Sequence, residues 1–176
     1  MIIPGFLVSL VTFPGVIVHE LAHQLFCRWA RVAVFDVCYF RLGNPAGYVV
    51  HETPRTSFQH VMIGLGPFFV NTILGALIAF PAAVPLIQFN SPQPQDLLLL
   101  WLGVSVAMHA FPSTGDAKGI WSALFQRTSP WWLKVVGLPI VVLIYIGAIG
   151  SFVWLDAIYG LAVALGLPNL LVELIA

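Results

Sequence analysis

The chain has 176 residues, with seven Lys and Arg against seven Asp and Glu and a formal net charge of zero. Hydrophobic residues make up 60%, charged residues 8%, and mean hydropathy is +0.97. These values exclude an ordinary soluble domain, which carries about 25% charged residues, and no basic run points to nucleic acid.

The apolar runs are long and continuous rather than alternating, so the expectation is an all-α polytopic membrane protein and not a β-barrel. About four transmembrane helices fit, in a single membrane-embedded domain over residues 1–176. Its core runs from about 6 to 121 and its C-terminal span or spans from about 131 to 176. That length leaves no room for a soluble sensor module.

The first span runs from Phe6 to Trp29, after Pro4 and Gly5. It has no basic segment ahead of it and reads as a retained span, not a cleaved signal peptide. Within it stands His19-Glu20-Leu21-Ala22-His23. Residues four apart share a helix face, so both imidazoles can reach one metal ion, and Glu20 is placed beside them to accept a proton from a water there. Ionisable groups are costly inside a membrane span and are usually functional.

Next come two β-rich runs, Val34 to Phe40 and Tyr48 to His51, around the turn Gly43-Asn-Pro-Ala-Gly47, which predict a short β-hairpin between the first and second spans. The second span runs from about His60 to Leu86, where Pro81 and Pro85 break its end, and a polar loop covers Gln88 to Asp96. The third, Leu97 to Phe111, is short for a bilayer that needs about 20 apolar residues. From Trp131 the chain is apolar to its end, interrupted by Pro139, Asp156 and Pro168. No polar turn divides this stretch, which favours one long span with an interfacial tail over two spans. Cys27 and Cys38 form no Cys-x-x-Cys pair and read as buried or interfacial thiols.

Basic residues set the orientation. Arg28, Arg31, Arg41 and Arg55 follow the first span, and Lys118, Arg127 and Lys134 follow the third, while the loop after the second has none. The N-terminus is therefore expected outside, with His19 and His23 toward the cytoplasmic face.

A catalytic zinc ion takes three protein ligands and keeps one position open. Asp116, just past the third span in a turn containing Pro112 and Gly115, lies at the right depth and is the expected third ligand. His109, inside that span, is the rival, and His51 and His60 are weaker candidates. Asp116 has an alternative use as a helix N-cap before Ala117, and His109 as a polar group near ligand or substrate. Asn71 reads equally as a bond between helices or a substrate contact. Gly64, Gly66, Gly75 and Ala76 suit close helix packing.

Together these residues resemble the site-2 protease family of intramembrane zinc metalloproteases. Val18-His-Glu-Leu-Ala-His23 is similar to its signature span, Gly66-Pro67-Phe-Phe-Val-Asn71 to its Gly-Pro-x-x-Asn feature, and Asp116 to its aspartate ligand. There are two departures. One extra residue separates Pro67 from Asn71, and Gly115 precedes Asp116 where the family has a glycine after its aspartate. The resemblance implies one zinc ion per chain on His19, His23 and Asp116, with Glu20 as general base and Asn71 and His109 close to ligand or substrate. It also implies that the hairpin edge receives an unwound substrate segment as an added strand.

The expected activity is hydrolysis of peptide bonds in or near transmembrane segments of membrane proteins, within a lipid bilayer. The expected location is the cell membrane of a prokaryote, with the active site toward the cytoplasm. The alternatives are a non-proteolytic metal carrier, which has no need of Glu20 at that spacing, and a membrane scaffold with no metal.

Overall fold

The computed structural model describes residues 5–91 and 93–175. The chain starts as two helices, α1 (Gly5–Val11) and α2 (Phe13–Trp29), with an 89° bend between them. The straight span expected from Phe6 to Trp29 is thus corrected to a broken one. Pro14, in the first turn of α2, has no N–H to return to Leu10, and Thr12 leaves helical geometry at φ −112°, ψ 29°.

Such a break strands backbone polar groups that an apolar setting cannot satisfy. Side chains from later elements take them up. Ser105 Oγ donates to Thr12 O at 3.0 Å and accepts from the Gly15 N–H at 3.2 Å. Trp101 Nε1 donates to Val11 O at 3.2 Å.

The expected hairpin follows as antiparallel strands β1 (Val34–Cys38) and β2 (Tyr48–His51), with Cys38 opposite Tyr48 and an irregularity between Val34 and Asp36. Helix α3 (Ser57–Phe89) begins at a Thr56–Gln59 capping box and ends at Asn90, whose φ of 46° breaks the helix. Its 33 residues make a rod about 50 Å long, longer than the ~30 Å hydrocarbon layer of a bilayer.

Helix α4 (Pro94–Met108) lies tightly along α3 because small residues meet at the crossing. A Cβ on Gly75 would come within 2.7 Å of the Ala107 methyl, and one on Gly103 within 2.7 Å of the Ala79 methyl. At 15 residues α4 is apolar but short, as the sequence suggested for the third span. Helix α5 (Thr114–Leu124) then packs with α3 and α6 (Trp131–Gly150) around Val61, Ile120, Leu124, Leu133, Val141 and Ile144.

The C-terminal stretch is a second correction: it forms two long helices where one span was favoured. A 3₁₀ turn at Ser151–Val153 leads to Trp154 in the left-handed region at φ 64°, and the chain restarts as α7 (Leu155–Leu161). This break uses backbone conformation instead of polar residues, so composition does not reveal it. A π turn at Ala162–Gly166 links α7 to α8 (Leu167–Ile175), just ahead of Pro168, which has no N–H to give back.

Three helices are long and apolar enough to cross a membrane, Ser57–Ile87, Trp131–Val153 and Leu155–Leu174, and the bent α1–α2 pair makes a fourth if counted as one span. Protein covers only 28% and 22% of the apolar windows in the last two. Surfaces of that size and polarity are stable against an apolar medium, not water.

Candidate metal centre

His19 and His23 lie one turn apart on α2, with ring centroids 4.9 Å apart. A backbone carbonyl orients each ring: His19 Nδ1 is 2.7 Å from His109 O, and His23 Nδ1 is 3.0 Å from Ile63 O. A carbonyl only accepts, so in each pair the imidazole Nδ1–H donates, and Nε2 keeps its lone pair for the site. Metal-ligating histidines are held in this way, through the nitrogen that does not bind the ion.

Asp116 arrives from the first turn of α5. Ser113 is the N-cap of that helix and accepts from the Asp116 N–H at 3.2 Å. In return Asp116 Oδ2 accepts from the Ser113 N–H at 2.8 Å and from its hydroxyl at 2.7 Å. This capping box occupies Oδ2 and leaves Oδ1 facing His23 Nε2 at 3.5 Å. The cap belongs to Ser113, and Asp116 serves the box with one oxygen while presenting the other to the histidines.

Two lone-pair atoms at that distance need a positive charge between them, supplied by a proton on His23 or by a metal ion. A tetrahedral ion with bonds near 2.05 Å spaces its ligands about 3.4 Å apart, so the His23–Asp116 edge already has a suitable length. His19, His23 and Asp116 each offer one ligand atom within 4.8 Å of the others and could hold a metal ion. Burial acts against the Asp116 carboxylate, but the hydrogen bond and positive charge of His23 when it carries a proton on Nε2, with the hydrogen bonds from Ser113, outweigh it and hold its pKa below the ordinary value.

Glu20 is buried, at 8% exposure, yet lines two of the spaces that meet the triad. The smaller, about 250 Å³, also touches His19, His23, Tyr48, His51 and Asp116. The larger, about 570 Å³, reaches His19 and Glu20 from the side of Phe111, Gly147, Phe152 and Asp156. Gly47, at the end of the hairpin turn, closes over Glu20: a Cβ there would stand 2.6 Å from Glu20 Cγ. No larger residue fits at position 47 without moving Glu20 or the turn itself.

The remaining sequence candidates fall outside the triad. The His109 ring turns to Thr12, with Nε2 2.8 Å from its hydroxyl, and only its carbonyl serves His19. Asn71 is fully buried, with Nδ2 within 3.1 to 3.3 Å of Gly15 O, Val106 O and His109 O. It ties α2 and α4 to α3 and steadies the carbonyl that orients His19. His51 and His60 line a small cavity beside Asp116 and are not among the converging ligand atoms. Reading the sequence for ligands passed over Ser113, Gly47 and the Ile63 carbonyl. Of these only the Ser-x-x-Asp spacing of Ser113 and Asp116 is a legible signal.

No protein-family model, curated protein or solved structure matches this chain. The functional reading rests on its residues and their geometry.

Proposed function

We propose that this chain is an intramembrane zinc metalloprotease of the site-2 protease type, which cleaves peptide bonds in or near transmembrane segments of other membrane proteins. The observation that carries the reading is the convergence of His19, His23 and Asp116 with Glu20 buried beside them. Two imidazole nitrogens and one carboxylate oxygen, with space left on the Glu20 side, suit a catalytic zinc site. A pure carrier has no need of a general base at the spacing of Glu20.

Bound zinc would supply Lewis acidity, polarising the scissile carbonyl and acidifying a water molecule. The protein's own part is positioning and proton transfer. Glu20 takes the proton from the attacking water and passes it to the leaving amine. The His109 and Ile63 carbonyls hold the imidazoles, Ser113 holds Asp116, and the hairpin turn at Gly47 closes the site above Glu20. The 570 Å³ cleft gives an unwound substrate segment a way to Glu20.

The test is zinc content and peptide cleavage of the detergent-purified protein and four variants. Wild type should hold about one zinc per chain, retained in His109→Ala and lost in His23→Ala and Asp116→Ala. Glu20→Gln should keep its zinc and lose cleavage of a transmembrane peptide by about a hundredfold or more. Zinc transport that survives Glu20→Gln would favour a carrier, and a folded wild type without zinc would sink the proposal.

A further inference from the structure

Helix α3 contains Pro67 in its interior, fully buried. In a regular α-helix the N–H at position 67 would bond to the carbonyl four residues earlier, which is Ile63 O. Proline has no N–H, so that carbonyl loses its helical partner. It is this carbonyl that faces His23 Nδ1 at 3.0 Å.

We infer that Pro67 is a positioning residue for the metal centre: by withholding its N–H it frees Ile63 O to accept from His23 and so aims His23 Nε2 at the ion. The inference rests on the metal-site reading above and adds a residue that touches no ligand atom of the triad.

The other histidine repeats the arrangement by a different route. His109 O, which receives His19 Nδ1, lies at the end of α4. Three residues on stands Pro112, again without an N–H, and the next N–H, from Ser113, goes to Asp116 Oδ2 instead. Both carbonyls that orient the ligand rings are therefore left open by the local backbone. A carbonyl already engaged in a helix is a weaker and less well-directed acceptor for an imidazole than one that has been released.

Not every proline of α3 has such a duty. Pro81 and Pro85 lie nearer the far end of the helix, and the carbonyls they release, Leu77 O and Pro81 O, meet no site residue among the described hydrogen bonds. Pro81 therefore serves as an internal control.

The experiment compares wild type, Pro67→Ala and Pro81→Ala in three measurements. These are zinc affinity by chelator competition, the visible spectrum of the cobalt(II)-loaded protein, and the melting temperature of the metal-free protein. Restoring an N–H at position 67 should re-engage Ile63 O, weaken zinc by about tenfold to a hundredfold and alter the cobalt bands. The metal-free Pro67→Ala protein should melt at or above the wild-type temperature, because a helix-interior proline has been removed. Pro81→Ala should keep wild-type zinc affinity and cobalt spectrum.

Zinc affinity and stability moving in opposite directions is a signature that a packing role does not produce. Zinc affinity of Pro67→Ala within about threefold of wild type would overturn the inference, well below the cost typical of an outer-shell partner. So would a joint fall in affinity and melting temperature, or an equal loss of zinc in Pro81→Ala. A wild type that binds neither zinc nor cobalt would instead overturn the metal-site reading, and this inference with it.

Discussion

Gly47 rests on Glu20. A Cβ at position 47 would stand 2.6 Å from Glu20 Cγ and 3.0 Å from its Oε1, with Cys38 O also at 3.0 Å. The hairpin can close on the buried carboxylate only because this residue has no side chain, so a loop and a helix distant in sequence share one atom-sized constraint.

Gly47→Ala should therefore displace Glu20 or lift the turn while leaving the three ligand atoms in place. Cleavage should fall by about tenfold to a hundredfold at unchanged zinc stoichiometry, since displacing a reacting group by about 1 Å is enough for that loss. Parallel measurement of zinc content and turnover checks this, and full activity in the variant would show that Glu20 has room to spare.

Ser113 supports Asp116 through three hydrogen bonds, two of them at its hydroxyl group, which donates to Asp116 Oδ2 and accepts from the Asp116 N–H. Ser113→Ala removes the helix cap, at a cost of about 1 kcal/mol, and leaves Asp116 Oδ2 with a single donor. Zinc should bind about tenfold more weakly yet reach full stoichiometry at saturation. A chelator-competition titration would read the affinity, and an unchanged value would mean that Asp116 is held by other means.

Asn71 holds its Nδ2, with two N–H groups, within hydrogen-bonding distance of three backbone carbonyls from a fully buried position. Asn71→Asp keeps the shape but turns the donor into an acceptor facing acceptors. Thermal unfolding in detergent should show a loss of about 2–4 kcal/mol, with zinc affinity falling too as the His109 carbonyl loses its second partner. A variant as stable as wild type would reassign Asn71 from scaffold to substrate contact.

The 3.5 Å pairing of His23 Nε2 with Asp116 Oδ1 makes zinc and a proton rivals for one place. A group that must lose its proton to bind metal makes affinity rise with pH. Metal affinity should fall as pH drops, because a proton on His23 Nε2 has to leave before the ion can bind there. Calorimetry in two buffers of different ionisation enthalpy counts the protons released, and no release would mean that His23 is already neutral beside the carboxylate.

Much of this site is local and could be read without coordinates. The four-residue spacing of His19 and His23 places both rings on one face of any helix that contains them, and Glu20 comes with them. The two β-rich runs around Gly43–Gly47 mark the hairpin, and apolar run length marks the helices of α3 and α6. Asp116 could be shortlisted by its place after the third apolar run, because depth along a helix is a property of residue count.

Tertiary structure decided whatever depends on one segment meeting another. It brought Asp116 rather than the His109 ring to the two histidines, because the Ser113 cap turns one carboxylate oxygen toward His23 while the His109 ring is claimed by Thr12. It broke the first apolar run at Thr12, a break tolerated because Ser105 and Trp101 satisfy the freed backbone. It divided the C-terminal stretch at Trp154 through a single left-handed residue that composition does not mark. Periodicity records which residues share a face, but which backbone groups need partners, and which side chains supply them, is settled only when the helices pack.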